Sequence, residues 1–450
     1  MKFYDRKREK EFLERLFKSD EKKLVVIYGR RRVGKTTLLK ETFRDSLYFF
    51  VDNRNCGDLL LDFSKRISNA VYQSWEDFLK DLLRRDGIIV FDEFQNFLRS
   101  CPYVLSIFQK VWDEVDNSKL LMILCGSYSG MMKRIFTDGK SPLFGRADYM
   151  INLKPFRFVD TYRMLKDFGY SFEEIITWYA ILGGIPKYLW LLKNKSSVEN
   201  KLYEIFFDDF APLKEEGKNL LILEFGKEHP GYFSVLKAIG NFEMDLSEIV
   251  SKSGLKPATA MKYISELRDY YGLIREVDNI LVRKKRGRRY KISDFFLRFW
   301  VRFIYNQHDL MEINPDLAMK NTLKNLPQHI GLVFEDIVLD LLPIFQKNGM
   351  LPNITRIGKG WIKSKDNQQV EIDVVAESEE NLILIECKWT NKPVTKKDLE
   401  NFLGKISAVP SKKKKVGMII SKSGFSVHSS SDVLLVGLNR LEKMIYSMES

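Results

Sequence analysis

Residues 29–37 read Gly29-Arg30-Arg31-Arg32-Val33-Gly34-Lys35-Thr36-Thr37, after the apolar run LVVIY and ahead of the helical pattern TTLLKETF. A strand, a glycine-bounded loop and a helix in that order constrain the fold more than any other stretch of the chain. Small glycines let backbone N–H groups approach phosphate oxygens, and the helix N-terminus adds a favourable dipole. On this reading residues 29–37 cradle a triphosphate. Lys35 bridges its β- and γ-phosphates, and the Thr36 hydroxyl takes a magnesium position.

Ile88-Ile89-Val90-Phe91-Asp92-Glu93 supplies the complement: four apolar residues predict a buried strand with two carboxylates at its end. Asp92 is placed to hold Mg2+, directly or through water, and Glu93 to polarise the attacking water, which suits hydrolysis. An exposed acidic turn would look the same in isolation, but not beside the loop at 29–37. A third apolar strand ends in Leu124-Cys125-Gly126-Ser127, making Ser127 the candidate γ-phosphate sensor. Arg146, in SPLFGRAD, reads either as an arginine finger or sensor or as an ordinary surface arginine. A finger would act across a subunit boundary, so a homo-oligomer is a candidate assembly.

The stretches FYDRKREKEFLERL, YGRRRVGKTTLL, IIVFDEFQNF, LCGSYSGMM, PLFGRA and LGGIPKYL, in this order, resemble the archaeal ATPase family of the STAND/AAA-related P-loop NTPases. The resemblance covers roughly residues 1–300. It implies ATP binding, slow switch-like or assembly-dependent hydrolysis, and a winged helix after a helical lid. In that family the GGIP stretch belongs to the lid and touches nucleotide; at Gly184 and Pro186 a helix break explains the same residues.

With 450 residues the chain has room for about three cores. The segments read as an ATPase core at 1–154, a helical lid at 155–226, a winged helix at 227–305, a connector at 306–328 and a last α/β domain at 329–450. Strand-like runs at Leu24–Tyr28, Tyr48–Val51, Ile88–Phe91 and Leu120–Cys125 alternate with helical patterns and predict a mostly parallel sheet. Apolar runs stay far short of the roughly 18–20 residues that cross a membrane. The charged start MKFYDRKREKEF carries no apolar leader, which predicts a cytoplasmic protein without membrane partners. Cys56, Cys101, Cys125 and Cys387 lack metal-ligand spacing and predict neither a disulfide framework nor a zinc site.

The net charge of +13 is uneven: residues 229–305 hold 15 Lys/Arg against 8 Asp/Glu, residues 329–450 hold 17 against 15. Within the basic segment two amphipathic helices flank SGLK, with Pro257 suited to the first turn of the second. A hairpin follows with seven basic residues between Arg283 and Lys291. Read as a winged helix-turn-helix, this places Lys256, Thr259 and Lys262 near a recognition helix and makes Arg283–Arg289 the wing, with double-stranded DNA as the partner. A winged helix that only packs against its neighbours is the competing reading.

In the last segment Glu335 lies on a helix, Asp373 in VEIDVVA and Glu386 and Lys388 in LILIECKW. Glu386 and Lys388, two apart in a strand, face one side, and Asp373 could meet them across a hairpin. Carboxylates with a lysine can bind a metal and activate water against a phosphodiester; an alternating sheet with a charged face is the plainer alternative. The arrangement is similar to the PD-(D/E)xK nuclease superfamily over roughly 329–425, with Ile-Asp in place of Pro-Asp. That resemblance implies Glu335, Asp373 and Glu386 as metal ligands, Lys388 as the catalytic lysine, and a C-terminal α/β restriction-endonuclease-like domain. The sequence thus predicts an ATP-hydrolysing protein acting on DNA with a nuclease-like domain, or a regulatory DNA-binding switch whose last domain is inactive.

Overall fold

The computed structural model describes residues 4, 6–19, 21–67, 71–116, 119–225, 227, 229–240, 242–282, 288–363, 368–428 and 432–446. By internal contacts the chain divides into two compact units. One holds Met1–Pro155, Ile185–Lys187 and Leu223–Gly226; the other holds Phe156–Gly184, Tyr188–Ile222 and Lys227–Ser450.

The first unit is built on five strands: β1 (Lys23–Tyr28), β2 (Leu47–Phe50), β3 (Gly87–Asp92), β4 (Leu120–Gly126) and β5 (Tyr149–Asn152). They pair in parallel in the order β2-β3-β4-β1-β5. Parallel strands need helices on both faces and are therefore apolar along their whole length; every residue of β4 is buried. One face is filled by an aromatic cluster that includes Phe49, Phe63, Phe78, Phe91 and Phe94. Each such ring contributes about 1.5–3 kcal/mol by burial, and Phe91 and Phe94 flank Asp92 and Glu93, so the core fixes where the carboxylates emerge. β5 is an edge strand that the sequence reading missed. Cys56 and Cys101, 45 residues apart, are joined as a disulfide with Cα atoms 5.4 Å apart, against the expectation of none; only folding brings them together.

In the second unit, Phe158–Asp167 and Phe172–Leu182 form a helical pair, the latter started by a Ser171/Glu174 capping box. The helix Pro230–Ile239 leads into β6 (Met244–Asp245), the helices Leu246–Ser253 and Pro257–Ser265 follow, and then β7 (Ile274–Val277) and β8 (Arg289–Ile292); the three strands make a small antiparallel sheet in the order β6-β8-β7. Asp245 and Glu248 cap the middle helix, and Gly254 ends it at φ 69°, so the next helix turns away. This is a winged-helix arrangement.

The segment 306–328, expected as a connector, is largely helical. His308–Ile313 is followed by the helix Pro315–Lys347, capped by the Asn314 side chain and starting on a proline that lacks only an N–H no helix start would use. β9 (Ile354–Lys363), β10 (Gln369–Ser378), β11 (Asn381–Lys388), β12 (Lys414–Ser421) and β13 (Val433–Gly437) follow, in the order β13-β12-β11-β10-β9. β9, β10 and β11 are antiparallel neighbours, whereas β11, β12 and β13 run parallel. The helix Lys396–Ala408 makes the crossover from β11 to β12. β9 also meets the turn after β7, at the wing base: Lys359 N–H donates to the Asp278 carbonyl at 2.9 Å, and its carbonyl accepts the Ile280 N–H at 3.0 Å. Gly358 allows the approach, since a Cβ there would lie 2.6 Å from the Asp278 oxygen. Among the described residues no helix is long and apolar enough to cross a membrane.

Candidate functional site

β1 delivers the chain into the loop at Gly29, whose φ is 151° and whose missing side chain is essential: a Cβ there would lie 2.2 Å from the Leu153 carbonyl oxygen. Arg32 (φ 71°) and Gly34 (φ 95°) turn the loop back into the helix Lys35–Thr42. Gly34 brings no capping side chain, so the first-turn N–H groups are left for an anion. Val33 is fully buried and anchors the loop, Arg30 and Arg32 are half-buried, and Arg31 and Thr37 are exposed. Arg6 braces it from outside, donating to the Val33 carbonyl at 3.2 Å and the Lys154 carbonyl at 2.5 Å. Lys35 is 5% exposed and donates Nζ to the Gly29 and Arg30 carbonyls at 2.7 and 3.1 Å. Burial lowers its pKa against the pull of nearby acids.

The acidic side meets this loop directly. The Thr36 hydroxyl donates to Asp92 Oδ2 at 2.9 Å, and the Tyr48 hydroxyl donates to the same oxygen from β2. Asp92 Oδ1 accepts the Glu93 N–H at 2.9 Å. Glu93 itself sits in the left-handed region at φ 56°, which costs a non-glycine residue on the order of 1 kcal/mol. Its carboxylate is held from both sides, by the Ser127 hydroxyl at 2.6 Å and Gln95 Nε2 at 2.5 Å. Thr36, Asp92, Glu93 and Ser127 are therefore brought together around Lys35, and their oxygen donors fit a magnesium ion bound with a triphosphate.

Tyr48, Gln95 and Glu224 were missed. Their partners lie 44, 2 and roughly 190 residues away, and only Gln95, in DEFQ, stood near a motif. Glu224 belongs to the Leu223–Gly226 segment grouped with this unit and is 9% exposed. Burial raises its carboxyl to about 7, against the lowering charges of Arg30 and Lys35. Arg146 is not brought to the loop. Its guanidinium holds Asp113 at 3.0 Å and the Phe144 carbonyl at 2.9 Å. Two residues on, Asp148 pairs with Leu24 through both its N–H and its carboxylate. Leu24 lies at the start of β1 and Tyr28 at its end, about 13 Å apart at strand rise, so Arg146 lies toward the opposite, amino-terminal end of β1.

In the winged helix, Lys256 and Lys262 are exposed and Thr259 is half-buried on the helix Pro257–Ser265. Arg283–Arg286, the tip of the expected wing, lie outside the described residues. The wing base is spoken for. Arg288 pairs with Glu276 at 3.3 Å, Arg289 with Glu371 at 2.6 Å and over the Trp361 ring, and buried Lys291 with Glu243 at 2.9 Å and Asp336 at 2.8 Å. Arg289, within the expected wing, is engaged by Glu371 and Trp361, and Lys291, beyond it in the hairpin, is buried between Glu243 and Asp336.

In the last sheet, the β10–β11 hairpin pairs Val374 with Ile385, which brings Asp373 beside Glu386; Asp373 Oδ2 accepts the Cys387 N–H at 2.8 Å. A register shift between Ile372 and Val375 interrupts the β9–β10 ladder at Asp373. Burial raises Asp373 to about 6, with Glu386 adding to the effect, and burial raises Glu335 to about 8. Each carboxylate is already engaged. Glu335 pairs with Lys359; Glu386 pairs with Lys388 at 2.8 Å and Lys405 at 2.9 Å. Among the described residues no three Asp, Glu, His or Cys side chains converge to hold a metal ion. As arranged, Glu335, Asp373 and Glu386 do not fit one. Burial lowers the Lys388 pKa, but the Glu386 charge outweighs it and leaves the lysine raised, which disfavours it as a base.

A family described as an ATPase domain predominantly from Archaea matches residues 52–192, beginning just after the phosphate loop, and one described as "Archaea bacterial proteins of unknown function" matches residues 300–402. The uncharacterized protein MJECL04 of Methanocaldococcus jannaschii is 30% identical over 404 residues, covering 86% of this chain and 87% of that protein. The uncharacterized ATP-binding protein MJ0423 of the same organism is 54% identical over 39 residues, 9% of this chain and 66% of that protein. Among solved structures, the Walker-type ATPase paby2304 of Pyrococcus abyssi is 22% identical, with a TM-score of 0.49 over 67% of this chain and 96% of its own. This chain belongs to the same protein family as MJECL04, and it carries an ATPase domain of predominantly archaeal type followed by a second domain of that unknown-function family.

Proposed function

We propose that this protein is an ATP-hydrolysing switch that acts on double-stranded DNA. The Thr36–Asp92 hydrogen bond carries the reading, because it sets the loop hydroxyl and the strand-end carboxylate on one point beside Lys35. Thr36 and Asp92 would hold magnesium, which neutralises charge between the β- and γ-phosphates when bound. Lys35 gives up the Gly29 and Arg30 carbonyls to reach phosphate oxygens, Glu93 orients the attacking water, and Ser127 and Gln95 hold Glu93 in place. Arg146 serves the site only from a neighbouring copy, in a homo-oligomer. DNA contact rests on the exposed Lys256 and Lys262, at the N-cap and within the helix Pro257–Ser265, and on the basic sequence at 283–286. ATP turnover should rise when duplex DNA is added and vanish in Lys35→Ala; turnover indifferent to duplex would overturn the DNA part of this reading.

For the last domain, the meeting of Asp373, Glu386 and Lys388 on one hairpin, with an α-β-β-β-α-β order around them, supports a nuclease-like core. The lysines that engage Glu335 and Glu386 favour the second reading, a regulatory DNA-binding ATPase whose last domain does not cut. Plasmid nicking with manganese decides between them. Activity lost in Asp373→Ala and Lys388→Ala with ATP hydrolysis kept supports the nuclease; an intact plasmid in every nucleotide state supports the switch.

A further inference from the structure

Glu224 is the next-to-last residue of the helix Glu216–Phe225 and lies in the Leu223–Gly226 segment grouped with the ATPase unit. It is 9% exposed, and its Oε2 is buried without a hydrogen-bond partner among the described residues. Folded chains match nearly all of their buried polar atoms, and an unmatched one marks a place where something outside the chain supplies the partner. The hydrolysis described above makes no use of this side chain.

The groups that act on Glu224 fix which part of a nucleotide it would meet. Arg30 and Lys35 act on it from the phosphate loop, and the Tyr128 hydroxyl, one residue past Ser127, feels its charge from the end of β4. The loop and Tyr128 follow β1 and β4, parallel neighbours in the sheet, so they stand at one end of it. Lys35 is the residue read as bridging the β- and γ-phosphates, and Ser127 the one read as sensing the γ-phosphate. Glu224 therefore shares its surroundings with the terminal phosphate. Burial holds its carboxyl at about 7 against both cations. Its place at the carboxyl-terminal end of a helix, the negative pole, also favours the neutral acid, and a phosphate beside it would favour that form further.

We propose that Glu224 is a specificity residue for the terminal phosphate: as the neutral acid it donates a hydrogen bond to a γ-phosphate oxygen, and as the carboxylate it repels that oxygen. A diphosphate ends one group short, so it neither gains the hydrogen bond nor meets the charge. The inference deepens the triphosphate reading of residues 29–37 and rests on it. Glu224 then holds a proton whenever the triphosphate is bound, and the preference for ATP over ADP is full below pH 7 and declines as pH rises through it.

The test is equilibrium binding of ADP and of a non-hydrolysable ATP analogue, each with magnesium, to the full-length chain at about pH 6 and about pH 8.5. In the parent the preference for the analogue should fall about tenfold or more between the two, because the carboxyl must take up a proton at the higher pH. Glu224→Gln keeps a donor of the same shape without the charge, so its preference should match the parent at the lower pH and stay level to the higher. Glu224→Ala has neither donor nor charge and should bind the analogue about tenfold more weakly than the parent at the lower pH, with ADP unchanged. Should a variant fail to fold, the parent decides: a preference that stays level across the two pH values overturns the inference. Glu224→Gln shifting ADP and the analogue alike, or declining with pH as the parent does, also overturns it. Lys35→Ala separates this role from the site itself. If Lys35→Ala binds both nucleotides as the parent does, the triphosphate reading falls and the role of Glu224 falls with it. If it weakens both while the Glu224 variants keep the parent's profile, only the role of Glu224 falls.

Discussion

Thr36 and Asp92 are 56 residues apart in sequence, and their side chains meet at 2.9 Å between Oγ1 and Oδ2. The contact follows from strand order: β3 lies one strand away from β1 across β4, so the ends of β1 and β3 flank the same crevice, where ligands of open α/β sheets bind. Tyr48, on the edge strand beyond β3, presses on Asp92 from the other side.

Lys35 is the residue proposed to meet phosphate. Replacing it by alanine should weaken nucleotide binding about 100-fold, the loss of one strong charge-assisted contact set. Equilibrium binding of a fluorescent ATP analogue measures this, and unchanged affinity would refute the triphosphate site itself.

Glu93 is expected to matter for turnover and not for binding. Glu93→Gln should cut the hydrolysis rate by about two orders of magnitude while ATP affinity stays within a few fold. Ser127→Ala, which leaves Glu93 held by Gln95 alone, should fall between the two in single-turnover measurements. Equal loss of binding and rate would assign Glu93 to the cradle.

Glu224 gives the ATPase unit a pH signature. Burial lifts its carboxyl to about 7 from an unfolded value near 4.5. The folded chain therefore binds the proton that the unfolded chain releases across that interval. Its contribution is complete below pH 4.5, declines as pH rises and is lost above 7, a change of about 3 kcal/mol. Glu224→Gln should remove this slope, so the variant gains on the parent as pH increases from 5 to 8 in urea unfolding. Parallel curves for the two proteins would show that Glu224 is not buried as described.

Lys256 and Lys262, both exposed, are the residues of the proposed recognition helix that would meet phosphates. Neutralising both should reduce the log–log salt slope of duplex binding by about 1.8, at roughly 0.9 per phosphate. Arg289→Ala should instead lower stability with little change in slope, since Arg289 is committed to Glu371 and Trp361. A slope unmoved by the lysine pair would take this helix out of the DNA interface.

The phosphate loop was legible because its signal is local: glycines, lysine and threonine act within nine residues, on a strand and a helix of ordinary pattern. Much of the parallel sheet was legible for the same reason. β9 was not, since ITRIGKGWIK lacks alternation and buries only three of its ten residues, and its hydrogen bonds are supplied by β10 and the wing base. The helix through Pro315 and Pro327 was hidden because prolines that read as breaks sit at a helix start and within a turn supported by packing. Asp373, Glu386 and Lys388 were found by spacing, but Lys405, which pairs with Glu386, and Lys359, which pairs with Glu335, were not, because those pairings exist only after distant strands and helices converge.

The seam at Gly358 has a mechanical consequence. Two modules strung on a slack tether sample space separately, and each must search for its own target. Here a shared strand edge removes that freedom, so the helix bearing Lys256 and the hairpin bearing Asp373 keep a fixed offset. A duplex gripped by the first would be offered to the second at a constant distance along its axis, like work held in a jig.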